Sequence, residues 1–449
     1  MPAAGQPRFA VAGAGLGGAL MAAYLARTGY AVDVFERRPD PRREQIEAGR
    51  SINLAISRRG IDALEGIGLA ERVLKLAIPM RGRMIHSPEG KLSYQPYGKS
   101  DRDCIRSVSR AGLNVTLLDA ATCNPDIRVH FHSKVVGVDL DEPRLEVIDG
   151  SSGQGAAFET DALIGADGAF SAVRAPMQKL DRFDYRQDYL RHGYKELTIP
   201  SGPNGQHVME RNALHIWPRR SFMMIALPNL DGSFTCTLFW PFEGPNSFAA
   251  LKTEADVLSY FQRVFPDVVP LMPSLAEEYF GNPTGSMVTV RCGPWYYRDK
   301  VVLLGDACHA VVPFYGQGMN AAFEDCVVLD ECLRRHAPRW EEAFREYYVR
   351  RKVHTDTLAD LAIGNFLEMR DRVGSRAFRL RKKLEIGLSK TFPNWYLPLY
   401  TMVSFTRTPY ADAVRRARKQ DRVVLAAALG LAVLLAIVLA YGVWYLVGR

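Results

Sequence analysis

The apolar positions at the start of the chain change from a strand pattern to a helix pattern and back. Residues 9–12 form a short apolar run, residues 13–18 are rich in glycine, and residues 19–27 have the composition of a helix. Residues 31–36 then alternate apolar and polar side chains, as a half-buried strand does, and end on an acid. The pattern predicts a βαβ unit at this end of the chain.

Further strand and helix patterns follow this unit. Residues 108–121 predict a helix with Ser109 as its N-cap, and residues 129–140 and 144–148 alternate like neighbouring strands of a small meander. Two short apolar runs that suit buried parallel strands lie at residues 162–168 and 301–306.

The segment 185–291 has a different pattern. Its β-rich runs are separated by turn residues, which predicts an antiparallel sheet distinct from the first unit. These runs lie at residues 215–218, 221–227 and 233–241. From residue 320 to about residue 400 the pattern is mainly helical.

The last apolar run is the longest. Residues 423–447 contain no charged side chain, and a helix needs about 20 apolar residues to cross a bilayer. Basic residues crowd its near end, and Trp444 and Tyr445 lie near its far end, where aromatic rings favour the interface. We predict one transmembrane helix with residues 1–422 in the cytoplasm, under a bacterial inner or a mitochondrial outer membrane. The alternative is a buried core helix.

Composition and charge agree with this organisation. A chain of 449 residues with 47% hydrophobic side chains suits two or three globular units rather than a disordered or fibrous protein. Its net charge of +8 is concentrated in residues 334–422, which hold 21 Lys or Arg against 10 Asp or Glu. No nucleic-acid-binding motif accompanies these charges. The seven cysteines form no C-x-x-C pair, so we expect reduced thiols and no structural metal.

A glycine motif carries the first chemical signal. Gly13, Gly15 and Gly18 form G-x-G-x-x-G between the predicted strand and helix, and Glu36 ends the next strand. Glycines let the backbone approach a pyrophosphate at a helix N-terminus, and the acid can accept hydrogen bonds from a ribose diol. The motif predicts dinucleotide binding, but by itself it cannot separate FAD from NAD.

Two later segments favour a flavin. Residues 163–174 combine a turn, Asp167 and an Arg, and residues 304–320 place Asp306 at the end of a strand before a second Gly-x-Gly turn. An acid there can hold a ribityl hydroxyl, and the N-terminus of the following helix can stabilise the negative charge of reduced flavin.

With these three motifs the chain resembles the flavin-dependent aromatic hydroxylases that are similar to p-hydroxybenzoate hydroxylase, and among them the kynurenine 3-monooxygenase family. Supporting stretches lie at residues 49–54, 80–86, 215–227, 234–239, 313–320 and 398–403. The resemblance implies bound FAD, NADPH and O2 as co-substrates, and hydroxylation of L-kynurenine at ring position 3, a step of tryptophan degradation. It also implies that no side chain acts as a catalytic acid or base, because the flavin supplies the oxygen chemistry.

The resemblance also assigns site residues. For the substrate, Arg83 matches the carboxylate-binding Arg of the family, Tyr97 is its hydroxyl partner and Tyr400 is a second substrate tyrosine. Further substrate candidates are Asn365, Met369, Met224, Phe239, Pro313 and Phe314. The FAD candidates are Gly13, Gly15, Gly18, Glu36, Arg38, Ala55, Arg110, Asp306, Gly318, Met319 and Asn320. We expect Asp167 to support the fold near the cofactor, and His309 to be a packed, hydrogen-bonded residue.

The predicted fold is α/β, with a Rossmann-like FAD-binding domain, an inserted β-rich substrate domain, a helical C-terminal region and one transmembrane helix. The boundaries are 1–180 with 292–333, then 181–291, 334–422 and 423–447. Two alternatives remain: another aromatic hydroxylase or epoxidase of this superfamily, and a non-catalytic, membrane-tethered flavoprotein. The oligomeric state is not predicted.

Overall fold

The computed structural model describes residues 6–43, 53–98, 103–368, 384–385 and 387–447. The strands are β1 (Arg8–Ala12), β2 (Ala31–Phe35), β3 (Asn53–Ile56), β4 (Ala77–Met80), β5 (Gly82–His86), β6 (Leu92–Pro96), β7 (Ile105–Ser109), β8 (Ile127–His130), β9 (Ser133–Asp139), β10 (Arg144–Asp149), β11 (Gly155–Glu159), β12 (Ala162–Gly165), β13 (Asp184–Ile199), β14 (Ala213–Pro218), β15 (Met223–Pro228), β16 (Phe234–Pro241), β17 (Gly285–Gly293), β18 (Tyr296–Tyr297) and β19 (Val301–Leu303).

The helices connect and cover these strands. They are α1 (Leu16–Arg27), α2 (Arg58–Gly66), α3 (Ala70–Lys75), α4 (Arg110–Thr122), α5 (Arg174–Met177), α6 (Glu254–Val264), α7 (Leu275–Gly281), α8 (Asp306–His309), α9 (Gly318–His336), α10 (Trp340–Leu367), α11 (Leu399–Phe405) and α12 (Tyr410–Val447), with 3-10 turns at Phe248–Ala250, Val269–Leu271 and Pro313–Tyr315.

The first sheet has six strands in the order β18-β19-β12-β1-β2-β8, and all its pairs are parallel except β18 with β19. Its central strands are buried on both faces, which explains their continuous apolar runs. The predicted βαβ unit is β1-α1-β2. Strands β9 and β10 form the predicted meander together with β11, whereas residues 129–130, predicted in the same strand as β9, belong to β8 of the first sheet. Ser109 caps α4 through the amide of Gly112.

The second sheet has seven strands in the order β17-β13-β16-β15-β14-β5-β6. Most pairs are antiparallel, as predicted, but β14 pairs with β5 in parallel. Strands β5 and β6 come from inside the range assigned to the FAD-binding domain, so the chain crosses between the sheets earlier than the boundary at residue 181 implies. Their short alternating runs show which residues share a face, but not which sheet receives them.

The C-terminal region is helical. Helix α12 continues without a break across the predicted boundary at residue 422, and its first turns are packed against the body. The most apolar stretch of this helix is not buried in the protein, so the core-helix alternative is wrong.

Candidate active site

One cavity of about 650 Å³ lies between the carboxyl ends of the parallel strands and the second sheet. In open α/β sheets this edge is the usual position for a ligand. The cavity brings together all three predicted motifs and most of the predicted substrate residues. It is lined by residues that include Gly13, Gly15, Glu36, Arg38, Ala55, Arg83, Arg110, Asp167, Met223, Phe239, Asp306, Pro313, Phe314, Tyr315, Gly318, Met319 and Tyr400.

The first glycine turn forms one end of the cavity. Gly13 has φ +96°, and a Cβ on it would lie 2.6 Å from the Ala166 carbonyl oxygen. A Cβ on Gly18 would lie 1.9 Å from the Gly13 carbonyl oxygen. Gly18 does not line the cavity; its role is to let α1 pack against the turn. Only glycine fits at both positions, which leaves the backbone free to approach a phosphate.

Glu36 follows β2 and is buried beside this turn. Its carboxylate accepts hydrogen bonds from the Ala14 amide at 2.9 Å and from Arg38 Nε at 2.8 Å. Burial alone would raise the pKa of Glu36, but the bonds from Arg38 and Ala14 outweigh it and lower that pKa. The residue is therefore a carboxylate. The Arg38 amide also donates to its Oε1 at 3.1 Å, which leaves an acceptor site on Oε2 for a ribose hydroxyl.

The late motif forms the floor of the cavity. Gly305 has φ +62° and turns the chain so that the Asp306 side chain is exposed to the cavity, where loss of solvation raises the pKa of its carboxyl group. Helix α9 begins beside it, and Gly318 and Met319 of its first turn line the cavity. The positive end of this helix is therefore available to a negatively charged ring edge.

Asn320 has a different position from the one predicted. It is fully buried and does not line the cavity. Its Nδ2 donates to the carbonyl oxygens of Ala55 and Gly316, both at 2.9 Å, and its Oδ1 accepts from the Ser57 amide at 2.9 Å. Asn320 thus holds β3 and the Gly316 turn together, and it supports the cofactor residues rather than contacting the ligand.

The middle motif joins the other two. Asp167 Oδ2 accepts from the amides of Ala172 and Val173, whereas its Oδ1 is buried without a hydrogen-bond partner and belongs to a cavity-lining residue. Burial raises the pKa of Asp167. Arg174 donates to the Ala307 carbonyl at 2.6 Å and so ties this turn to the late motif. Asp167 therefore supports the fold, as predicted, and also has an acceptor that a ligand could use.

His309 is packed, as predicted. Its Nε2 lies 2.5 Å from Asp325 Oδ2, and Arg351 Nε donates to Asp325 Oδ1 at 2.7 Å. Burial would raise the pKa of Asp325, but His309 and Arg351 outweigh it and lower that pKa. Asp325 also accepts from the Gly305 amide at 3.3 Å. The histidine ring is therefore part of a buried network that holds the late turn in place.

Three aromatic hydroxyl residues surround Arg83 at the other end of the cavity. The guanidinium carbon lies 4.7 Å from the ring centroid of Tyr400 and 5.6 Å from that of Tyr97, and these two rings stack at 5.3 Å. Tyr315 contacts Tyr400 at a centroid distance of 5.6 Å. Tyr97 itself is behind the cavity wall and does not line it.

The polar atoms of this cluster are not all satisfied. Arg83 Nε and the Tyr97 hydroxyl are buried without a hydrogen-bond partner, and no carboxylate in the described part of the chain forms an ion pair with Arg83. Burial lowers the pKa of Arg83, but Tyr400 and Tyr97 more than offset this and raise it, so Arg83 is a cation. Burial raises the pKa of Tyr97 and of Tyr315, so both are neutral. A partly buried cation beside unused donors fits an anionic group.

The apolar wall comes from alternate positions of β15 and β16. Met223 lines the cavity, whereas the predicted Met224 points to the opposite face and packs in the core with Trp217. Because side chains alternate along a strand, an error of one residue moves a side chain to the other face. Phe239 and Phe314 line the cavity, as predicted, with ring centroids 4.9 Å apart.

One predicted helix residue, Asn365, is not at the wall. Asn365 donates to the Phe314 carbonyl at 2.6 Å from behind and does not line the cavity. Met369 lies outside the described residues. Sequence reasoning missed several lining residues, which an alternation pattern on β14, β15 and β16 could have indicated: Leu214, Ile225, Leu227 and Thr237, together with Tyr194 on β13.

The residues present fit an FAD molecule. A glycine cradle, a ribose acceptor, a cavity-facing Asp306 and the free Asp167 Oδ1 lie along one continuous cavity. Its other end, around Arg83, is left for a second ligand.

Comparisons with known proteins agree with this arrangement. A family model described as an FAD binding domain matches residues 8–239 and 275–357. The kynurenine 3-monooxygenase of Myxococcus xanthus is 49% identical over 424 residues, covering 94% of this chain and 91% of that protein. The enzyme of the same name from Dictyostelium discoideum is 46% identical, covering 90% and 89%.

Solved structures show the same fold. The tetrameric form of 2-methyl-3-hydroxypyridine-5-carboxylic acid oxygenase superposes with a TM-score of 0.67 at 21% identity, covering 83% of this chain and 95% of that one. PqsL from P. aeruginosa, in complex with 2-aminobenzoylacetate, gives 0.65 at 19% identity, covering 82% and 97%. From the family match and the relatives together, this chain belongs to the kynurenine 3-monooxygenase family of FAD-dependent monooxygenases.

Proposed function

We propose that this protein hydroxylates L-kynurenine to 3-hydroxy-L-kynurenine with NADPH and O2. The observation that carries the proposal is Arg83, a partly buried cation without a described carboxylate partner, which lies at one end of the cavity beside an apolar wall. Kynurenine is an amino acid with an aryl ketone, so it needs one cation for its carboxylate and a flat apolar slot for its ring.

The protein's own residues bind and orient the substrate. Arg83 holds the carboxylate through charge-assisted hydrogen bonds, and the stacked rings of Tyr400 and Tyr97 pack against its guanidinium. Met223, Phe239 and Phe314 form the ring slot and exclude water from it. The amino group on the substrate ring already activates the carbon beside it, so this scheme needs no acid or base from the protein.

The flavin site is proposed along the rest of the cavity. The turn at Gly13 and Gly15 takes the pyrophosphate, Glu36 the adenosine ribose, Asp306 a ribityl hydroxyl and the N-terminus of α9 the pyrimidine edge. Arg38, Ala55 and Arg110 complete the lining. When bound and reduced, FAD activates O2 and supplies the oxygen atom that enters the ring.

Substitution of Arg83 tests the carboxylate clamp. We expect Arg83→Ala to raise the KM for L-kynurenine roughly 30-fold or more while FAD stays bound, because loss of a buried charge-assisted contact costs about 2–5 kcal/mol. Arg83→Lys should restore only part of the affinity, since a point charge lacks the planar fork. Arg81→Ala changes an exposed arginine two residues away and serves as the control. Unchanged kinetics of Arg83→Ala would overturn the clamp.

The product separates the proposal from its alternatives. Purified full-length protein with L-kynurenine, NADPH and O2 should form an amino acid heavier by one oxygen atom, detected by mass spectrometry. NADPH oxidation that L-kynurenine does not stimulate would favour another substrate or a non-catalytic flavoprotein. An epoxidase acting on a lipid would not need Arg83.

We also propose that α12 anchors the protein in a membrane with the catalytic body on the cytoplasmic side. The support is the exposed apolar stretch after residue 422, the basic residues before it and the aromatic pair Trp444 and Tyr445 near its end. A chain that ends at Arg422 should leave the membrane fraction and keep its flavin. The cut must spare residues 410–420, because Tyr410 packs on Arg59 at 4.2 Å and Gln420 is buried.

A further inference from the structure

Two large aromatic side chains point away from the protein beside the base of α12. Phe392 is 52% exposed and Trp395 is 42% exposed, whereas the adjoining Tyr396 is only 5% exposed. The turn that carries them is ordered by backbone bonds from the amides of Trp395 and Tyr396 to the Phe392 carbonyl, at 3.1 and 2.8 Å. One ring anchors this turn in the protein, and two rings are presented outward at a fixed place.

Helix α12 determines how far these two rings lie from the start of the uncharged stretch. Gln420, which is buried, donates from Nε2 to the Trp395 carbonyl at 2.5 Å, and Arg416 donates to the same oxygen at 3.5 Å. The uncharged stretch begins at Val423, three residues later, which is about 4.5 Å further along the helix axis. The polar interface of a bilayer is roughly 5–8 Å thick on each side. The turn therefore lies within one interfacial layer of the point where the hydrocarbon core would begin.

The charge around the turn has the sign that suits a lipid surface. Basic residues outnumber acids on the first part of α12 and on the described helical residues before the turn. The exposed basic residues are Lys390, Arg415, Arg416, Arg418, Lys419 and Arg422, and the acids are Glu385, Asp412 and Asp421. Each Lys or Arg near an anionic membrane surface contributes about 1 kcal/mol to binding. Aromatic rings with an apolar body favour the same layer.

We propose that Phe392 and Trp395, with the basic residues around them, form a second, peripheral contact with an anionic lipid surface. The proposal rests on the membrane anchorage by α12 proposed above and goes beyond it. A single helix leaves the catalytic body free to tilt and rotate about its anchor, whereas a second contact beside that helix fixes which side of the body faces the bilayer.

Site-directed spin labelling of the full-length protein tests this contact. Cys123 is exposed and the other six cysteines are buried, so Cys123→Ser provides the background. A nitroxide is placed by Phe392→Cys, by Phe280→Cys and by Leu434→Cys, in three separate proteins. Phe280, 47% exposed on α7, is the matched control away from α12, and Leu434 reports the anchor itself. Collision with O2 and with a water-soluble nickel complex measures the depth of each label.

In vesicles of phosphatidylcholine with phosphatidylglycerol, the label at residue 392 should become less accessible to nickel and more accessible to O2 than in detergent. The label at residue 280 should not change. The shift at residue 392 should be smaller in phosphatidylcholine alone, and smaller at about 1 M salt, where the Debye length is about 3 Å.

Several results would overturn the proposal. Suppose that residue 434 is shielded by lipid, whereas residue 392 is as accessible to nickel as residue 280. The membrane anchorage by α12 is then supported, and the proposed peripheral contact is wrong. If residue 434 is also open, the anchorage itself is wrong. Shielding at residue 392 that occurs in detergent and grows with protein concentration would show contact between copies of the chain instead of contact with lipid.

Discussion

The cofactor end and the substrate end of the cavity are built in different ways. At the cofactor end, three short motifs supply backbone: the turn at Gly13, the turn after Asp167 and the turn at Gly305. At the substrate end, single side chains arrive from distant segments, with Arg83 on β5, Met223 on β15 and Tyr400 on α11. A pyrophosphate needs backbone amides, whereas an aryl amino acid needs a particular cation and a particular slot.

This difference determines how each end responds to substitution. Gly13 and Gly18 have no room for added atoms, so changes there should remove the cofactor or the fold. The substrate wall is made of side chains that tolerate truncation, so changes there should alter affinity or local stability by a limited amount.

The largest effect is expected at Gly18. Gly18→Val would place side-chain atoms against the Gly13 carbonyl, which lies 1.9 Å from the position of a Cβ. We expect loss of bound flavin and of most of the folded protein, measured as flavin absorbance per protein and as yield. Gly364→Ala is the control, because a Cβ there meets nothing within 4 Å and alanine suits a helix interior. A yellow, stable Gly18→Val protein would contradict the packing role of this glycine.

The two neighbouring methionines on β15 should separate stability from substrate affinity. Met224→Ala should lower the free energy of unfolding by about 2–5 kcal/mol with an unchanged KM, because its side chain packs in the core behind the sheet. Met223→Ala should raise the KM about tenfold, since contacts of one apolar side chain in a binding slot are worth about 1–3 kcal/mol. Denaturant unfolding and steady-state kinetics measure the two effects. If Met223→Ala and Met224→Ala changed the KM equally, the strand register at the wall would be wrong.

The third expected effect is a pH dependence confined to the substrate half. His215 on β14 accepts from His86 at 2.9 Å and donates to the Glu210 carbonyl at 2.8 Å, and burial lowers its pKa from 6.5 to about 4. The unfolded chain binds this proton more readily, so stability should fall between pH 6.5 and pH 4 by up to about 3 kcal/mol. The hydrogen-exchange protection factors of β14 amides, which are corrected for the intrinsic pH dependence of exchange, should fall over this range, and His215→Gln should flatten the change. An unchanged pH slope in the variant would rule out His215 as its source.

The cofactor half was largely predictable from the sequence. Gly13, Glu36 and Asp306 each stand at the end of an apolar run, and parallel strands bring such ends to one edge of a sheet. Gly18 and Asn320 belong to the same motifs but lie behind the cavity, because motif spacing does not distinguish a residue that contacts the ligand from one that holds the turn.

The substrate residues could be predicted only from the resemblance to the family, and only some of them line the cavity. Phe239 and Phe314 are at the wall, but Met224 faces the core and Asn365 lies behind Phe314. Nothing local in residues 82–96 shows that β5 joins β14 and carries Arg83 to the second sheet, because strand pairing is a long-range choice.

The amino-acid sequence by itself determined the α/β class, the three cofactor motifs and the long uncharged run at residues 423–447, because hydrophobic period and glycine spacing are local properties. Only the tertiary structure decided which methionine faces the cavity, that Arg83 packs against Tyr97 and Tyr400, and that Trp395 lies at the base of α12. These contacts join residues far apart in the chain, and their positions follow from how sheets and helices pack.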